Sequence, residues 1–105
     1  MNYVVFVTGQ TEDTLRDVLE IAVAEDKGEL TRSTVEPGFY EVCLGERNYF
    51  VRIFNNKICI PYYKLFRFKH VFRELEVPCV RYNVNFSERD LLKKESELEK
   101  RFLVS

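Results

Sequence analysis

Apolar and polar residues alternate along this chain with two periods, one typical of strands and the other of helices. The segment YVVFV, residues 3–7, is continuously apolar, as in a strand that is covered on both faces. Thr11 can cap the helix that follows, whose apolar residues between 15 and 22 recur at i, i+3, i+4 and i+7. We expect Gly28 to end this helix in a left-handed conformation.

Four strand-like segments joined by short turns come next. Residues 39–44 and 49–54 each show the period-two alternation of a strand with two distinct faces. Asn55 and Asn56 suit a two-residue hairpin, because Asn tolerates positive φ. After Pro61 the pattern predicts a second amphipathic helix, then one more strand and a highly charged last helix.

This order of elements, βαββββαβα, predicts a small single α+β domain spanning residues 1–105. We expect a mainly antiparallel sheet with the helices packed on one face. A chain of 105 residues, 46% of them hydrophobic, can close one core without disulfides or metal. No apolar run approaches the ~20 residues of a membrane-spanning helix, and the N-terminus lacks the features of a signal peptide. We therefore expect a cytoplasmic protein without a membrane partner, and its single Gln and dense Glu, Lys and Arg are thermophile-like.

Charge is distributed unevenly along the chain, although the formal net charge is only −1. Residues 1–46 carry ten acids and three bases, whereas residues 47–73 carry seven bases and no acid. The same window holds eight of the fifteen aromatic residues. On a helical wheel the second helix separates an inner from an outer side. The expected inner residues are Leu65, Phe68, Val71, Phe72 and Leu75.

The outer side of this helix combines cations with two rings, Tyr63 and Phe66, that the core does not need. Cations neutralise phosphates and aromatic faces stack on bases, so we predict a nucleic-acid-binding protein with DNA or RNA as its partner. The predicted binding residues are Arg47, Arg52, Lys57, Tyr63, Lys64, Phe66, Arg67, Lys69, His70 and Arg73.

Two other interpretations of the same charges stay open. The cations can simply form the solvated face of a helix, with their stems covering Phe66, or be neutralised by the acidic first helix or the last helix. Alternatively they form a protein-binding or self-association surface, which makes a homo-oligomer or an acidic protein the partner.

Candidate chemistry is sparse. The chain has no phosphate-binding, dinucleotide-binding or metalloprotease motif. Cys43, Cys59 and Cys79 lack the spacing of a zinc site or a disulfide framework, so we expect them to be buried or half-buried strand residues. No metal and no cofactor are expected.

His70 is the chain's single histidine and could support metal-free RNA cleavage together with Tyr63, Arg67 and Arg73. Tyr63 or Lys69 could exchange protons only if their pKa values were lowered, the direction in which neighbouring cations act. We expect a binding protein rather than an enzyme, with His70 not catalytic.

The segment PGFYEVCLGERNYFVRIFNNKICI, residues 37–60, resembles the sheet meander of RelE-type toxins. That resemblance implies a ribosome-dependent, mRNA-cleaving activity and an antitoxin partner. The chain departs from the family pattern where Phe50, rather than an arginine, follows Tyr49, and where a single helix precedes the meander. A RelE-like toxin is therefore a further alternative function.

Overall fold

The structure is a computed structural model that describes residues 2–32 and 36–104. Within these residues it contains six strands and three helices in the predicted order, which confirms the α+β fold class. None of the described helices is long and apolar enough to cross a bilayer. The strands are β1 (Tyr3–Thr8), β2 (Glu29–Arg32), β3 (Phe39–Leu44), β4 (Arg47–Phe54), β5 (Lys57–Pro61) and β6 (Cys79–Val84). The helices are α1 (Glu12–Glu25), α2 (Leu65–Glu74) and α3 (Glu95–Val104), with 3-10 turns at Tyr62–Lys64 and Asp90–Leu92.

The six strands form one sheet in the order β2-β3-β4-β5-β1-β6, with every neighbouring pair antiparallel. The four strand-like segments predicted after α1 are β2 to β5, and they follow one another in the sheet as a meander. Asn55 adopts a φ of 53° in the two-residue hairpin turn between β4 and β5. The N-terminal strand lies between β5 and β6, so it has a neighbour on each side. Its residues 3–6 are at most 1% exposed, as the continuous apolar run predicts.

Alternate residues of β1 face two separate cores. Val4 and Phe6 pack into the larger core with α1 and α2, whereas Tyr3 and Val5 pack on the other face of the sheet against residues 86–98. The expectation that the helices share one face therefore holds for α1 and α2 but not for α3. Helix α3 packs on the opposite face through Leu98, because that face of the sheet is also apolar at its centre.

The end of α1 is fixed by Lys27 and Gly28. Thr11 caps the start of the helix as predicted. At the other end Lys27, rather than Gly28, adopts the left-handed conformation, with a φ of 58°. Gly28 is required for another reason, since a Cβ there would lie 2.5 Å from Cδ2 of Leu44. The glycine thus allows the chain to leave α1 closely packed against β3.

The inner side of α2 was predicted correctly with one exception. Leu75 is 41% exposed, because α2 ends at Glu74 and Leu75 is its C-cap residue. Phe72 contacts Phe6 of β1, with ring centroids 5.0 Å apart. The buried residues of the helix are Leu65, Phe68, Val71 and Phe72.

The three cysteines lie on strands, as expected. Cys59 is buried, and Cys43 and Cys79 are half-buried, all with free thiols. Burial raises the pKa of the Cys59 thiol and of the Cys79 thiol, although Lys69 partly offsets it for Cys79. Because the thiolate is the reactive form, these two side chains act as small hydrophobic residues.

Candidate interaction surface on the second helix

Three aromatic side chains protrude where the chain enters α2. Phe66 is 79% exposed, Tyr63 is 58% exposed and Tyr62 is 50% exposed. The tyrosines lie one turn before Phe66, in the 3-10 turn that leads into the helix. Residues three, four and seven positions after Phe66 continue the same outer face. We call this set the α2 surface, and its members are Tyr62, Tyr63, Phe66, Lys69, His70 and Arg73.

The helical period explains why this face is exposed. Leu65, Phe68 and Phe72 are buried against the sheet and α1, so residues about half a turn away must point to solvent. Lys69 and Arg73 are exposed and have no ion pair among the described residues. The structure therefore brings together the predicted residues Tyr63, Phe66, Lys69, His70 and Arg73, and adds Tyr62.

Arg47 reaches the same neighbourhood from the start of β4. Arg47 is exposed, and its charge acts on the Tyr63 hydroxyl. The Tyr63 ring packs edge to face with the buried Tyr49 ring, with the ring centroids 6.2 Å apart. Partial burial has the largest influence on the pKa of Tyr63 and raises it. Arg47 lowers this pKa and Glu88 raises it, so the net shift is upward. Arg47 thus acts in the expected direction, but the lowered pKa that proton exchange by Tyr63 would need is not found. Tyr63 therefore stays a neutral phenol at physiological pH.

Arg52 does not belong to this surface, contrary to the prediction. It is 2% exposed and lies on the second face of the sheet. Its Nη1 donates to the carbonyl oxygens of Leu91 and Lys93, both at 2.8 Å, and Nη2 contacts the Glu36 carboxylate at 3.3 Å. The guanidinium thus ties the turn before α3 to β4, and it is unavailable to a phosphate.

Lys57 is a second predicted binding residue that the fold has buried. It is 9% exposed, and its Nζ lies 2.8 Å from Oε1 of Glu99 on α3. The same nitrogen lies 5.6 Å from the ring centroid of Phe54 and 5.5 Å from that of Phe102. Lys57 therefore stabilises the contact of α3 with the sheet.

Lys64 and Arg67 remain near the α2 surface but are paired with acids of α1 and its C-cap. Nζ of Lys64 lies 2.7 Å from Oδ2 of Asp26, and Nε of Arg67 lies 2.9 Å from Oδ1 of the same residue. Nη1 of Arg67 also contacts Oε2 of Glu25 at 2.8 Å. For these two cations, neutralisation by the acidic first helix is the observed outcome.

His70 has an acidic partner that the sequence interpretation overlooked. Its Nε2 lies 2.7 Å from Oε1 of Glu74, one turn further along α2, and both side chains are about half exposed. Glu74 is the first residue after the acid-free window. The i, i+4 spacing was a sufficient signal, because residues four apart are neighbours on a helix.

A small cleft adjoins the α2 surface at Tyr62. It has a volume of about 300 Å³ and lies at the end of the sheet where β1 begins and β6 ends. Asn2, Asn83 and Asn85 contribute to its lining, and none of the three makes a side-chain hydrogen bond among the described residues. No local sequence pattern predicts this cleft, because its walls come from three segments that are distant along the chain.

The strands that carry the resemblance to RelE-type toxins form a meander, with β4 paired to both β3 and β5. No match was found in comparisons with models of protein families, with curated proteins or with solved structures. The toxin alternative stays a prediction.

Proposed function

We propose that this protein binds single-stranded nucleic acid, DNA or RNA, through the α2 surface and Arg47. The observation that carries the proposal is the 79% exposure of Phe66 between two tyrosines and a set of cations. Stacking of an exposed aromatic ring on a base is favourable and stabilises the complex. Base faces are accessible in an unpaired strand, whereas a duplex presents only base edges in its grooves. The exposed rings therefore favour single strands.

The number of unpaired cations sets the expected salt dependence. Arg47, Lys69 and Arg73 have no ion pair among residues 2–32 and 36–104, whereas the other four cations of the window are paired. Each neutralised phosphate of a single strand contributes about −0.7 to the slope of log K against log salt. Three contacts give a slope of about −2, compared with about −5 for all seven cations.

The cleft beside Tyr62 supports a base-binding role. Asparagine amides both donate and accept hydrogen bonds, and they can therefore pair with the edge of a base. A base that stacks on Tyr62 would have the amides of Asn2, Asn83 and Asn85 within the adjoining cleft. Stacking would supply most of the affinity, and these amides a modest sequence preference.

A cytosolic location forms part of the proposal. Its support is the state of the cysteines, which are free in all three positions. Disulfides persist in oxidising compartments, whereas the cytosol keeps thiols reduced.

Fluorescence anisotropy with labelled oligonucleotides tests the proposal. Single-stranded DNA and RNA and their duplexes are titrated with the protein at several ionic strengths. We expect tighter binding of the single strands and a salt slope of about −2. A triple variant should flatten the slope; it carries Arg47→Gln, Lys69→Gln and Arg73→Gln. A second triple variant at exposed positions is the charge-matched control and should leave the slope unchanged; it carries Arg89→Gln, Lys94→Gln and Lys100→Gln. Absence of binding at low salt would end the proposal.

A protein partner is the second candidate for the same surface. Phe66 flanked by tyrosines and an arginine has the composition of an interface hot spot. Attraction between the acidic and basic parts of two chains is a weaker driving force than expected, because Lys64 and Arg67 already pair with Glu25 and Asp26. Sedimentation velocity at several salt concentrations distinguishes the candidates. A dimer held together by the Phe66 rings would persist at high salt, and the Phe66→Ala variant would be monomeric.

A further inference from the structure

Glu25, His70 and Glu74 form a cluster of metal-binding side chains between α1 and α2. Each offers one donor atom, and the three donor atoms lie within 4.8 Å of one another. Glu25 is the last residue of α1, whereas His70 and Glu74 lie one turn apart on α2. The cluster therefore depends on the packing of two helices, and only its i, i+4 half is visible in the sequence.

We infer that this cluster binds a divalent transition metal of the Zn²⁺ type. Imidazole nitrogen and carboxylate oxygen are both ligands of Zn²⁺, and three protein ligands leave a position for water. Two ligand atoms at ~2.1 Å from a tetrahedral ion lie ~3.4 Å apart. The donors of His70 and Glu74, now 2.7 Å apart, can reach that spacing by side-chain rotation because both are about half exposed.

Charge and hydrogen bonding are compatible with a bound ion. The carboxylates of Glu25 and Glu74 balance the two charges of the metal. Arg67 holds Oε2 of Glu25 at 2.8 Å, which leaves the other oxygen of that carboxylate for the ion. Such a contact orients a ligand from outside the coordination sphere. The positive charge of Arg67 opposes the ion, so we expect a weaker site than a structural zinc centre.

The helix backbones that carry the ligands are held in place without the metal. Lys64 and Arg67 of the α2 region both pair with Asp26, directly after Glu25. Leu65 and Phe68 share the larger core with residues of α1. Binding therefore requires rotation of exposed side chains rather than movement of helices, which lowers its cost in ordering entropy.

Isothermal titration of the untagged chain with Zn²⁺ tests this inference, with Co²⁺ absorption as a second readout of coordination by N and O ligands. We expect one saturable site per chain. His70→Ala should weaken binding by about tenfold or more, and Glu25→Gln and Glu74→Gln should each weaken it as well. Glu20→Gln, an exposed acid of α1 outside the cluster, is the matched control and should bind as the unaltered chain does.

Cys43→Ser with Cys79→Ser serves as a second control, because thiols also bind zinc, and it should leave the affinity unchanged. Circular dichroism of each variant establishes that it is folded. No saturable binding, or unchanged affinity in His70→Ala, would overturn the inference. Unchanged affinity in Glu25→Gln would overturn the two-helix site. None of these outcomes depends on whether the protein binds nucleic acid.

Discussion

Cations lie near aromatic rings in two regions of the molecule, one buried and one exposed. The buried region is the face of the β4–β5 hairpin that packs against α3, and the exposed region is the outer face of α2. On the hairpin, Arg52 is 2% exposed, and Lys57 lies between the rings of Phe54 and Phe102. On α2, Lys69 and Arg73 are exposed and have no ion pair among the described residues. The hairpin cations hold the fold together, whereas the helix cations remain available to a partner.

The difference arises from what covers each face. The turn at Asp90–Leu92 and α3 pack over the hairpin and supply carbonyls and carboxylates to its cations. In the described part of the chain, no element packs over the outer face of α2. A cation contributes to recognition only while its donors are free, so the covering segment decides which residues of the basic window can bind a ligand.

The largest expected effect is the loss of Arg52. Arg52→Ala should lower the free energy of unfolding by about 3–5 kcal/mol, because it leaves the Glu36 carboxylate and two carbonyls near Arg52 without their donor. Urea unfolding measures the change. Lys69→Ala is the matched control from the α2 surface and should change stability by less than about 0.5 kcal/mol. Equal unfolding midpoints in the two variants would contradict the distinction between the faces.

The next effect concerns binding rather than stability. Phe66→Ala should weaken single-strand affinity by about 1–3 kcal/mol, the value of one stacked base, while unfolding stays unchanged. Anisotropy titration at low salt measures the loss. Tyr82→Ala removes an aromatic ring of β6 that is 48% exposed and lies outside the α2 surface, so it should bind as the unaltered chain does. Equal losses in both variants would show that rings bind without regard to position.

The outer face of α2 was predictable from sequence, whereas the fate of the hairpin cations was not. Four buried residues at helical spacing determine which side of α2 faces the core, and all four lie within an eight-residue stretch of sequence. The alternation in β4 places Arg52 on one of two faces but does not say which is covered. That depends on contacts with Leu91 and Lys93, which are 39 and 41 residues away. Contacts at such separations leave no local pattern.

The dependence of stability on pH provides a third test of the buried region, because two carboxylates near α3, Asp90 and Glu99, have lowered pKa values. Burial alone would raise the pKa of Glu99, but hydrogen bonds from Lys57 and Asn55 lower it from 4.5. Burial would likewise raise the pKa of Asp90, but hydrogen bonds from Ser87 and Lys93 and the charge of Arg101 lower it from 3.8. A lowered folded-state pKa stabilises the fold fully above the unfolded-state value, and this stability is lost as the pH falls through the folded-state value.

We therefore expect the unfolding free energy to fall as the pH drops below about 4.5. Asp90→Asn should cost about 1–2 kcal/mol at neutral pH and reduce the acid dependence, since its hydrogen bonds to charged groups weaken. Urea midpoints at a series of pH values give the slope. Glu76→Gln, an exposed acid near the end of α2, should leave the slope unchanged, and an equal change in both variants would speak against the α3 carboxylates as its source.

The smallest expected effect is that of His70→Ala on nucleic-acid binding. Measured with EDTA present, the affinity should stay within about threefold of the unaltered chain, because an exposed ionic contact is worth well under ~1 kcal/mol. Nε2 of His70 is engaged by Glu74 at 2.7 Å. Stability should also be nearly unchanged, since the side chain is half exposed.

His70 is also the residue on which the toxin alternative depends. Metal-free RNA cleavage requires a base and an acid within hydrogen-bond reach of the reacting groups. The raised pKa keeps Tyr63 protonated at neutral pH, so it is not available as the base, and the toxin alternative needs His70 in that role. We expect no cleavage of RNA by the unaltered chain or by His70→Ala, with or without ribosomes and in EDTA. Cleavage that disappears in His70→Ala would make the α2 surface an active site and favour the RelE-type alternative over simple binding.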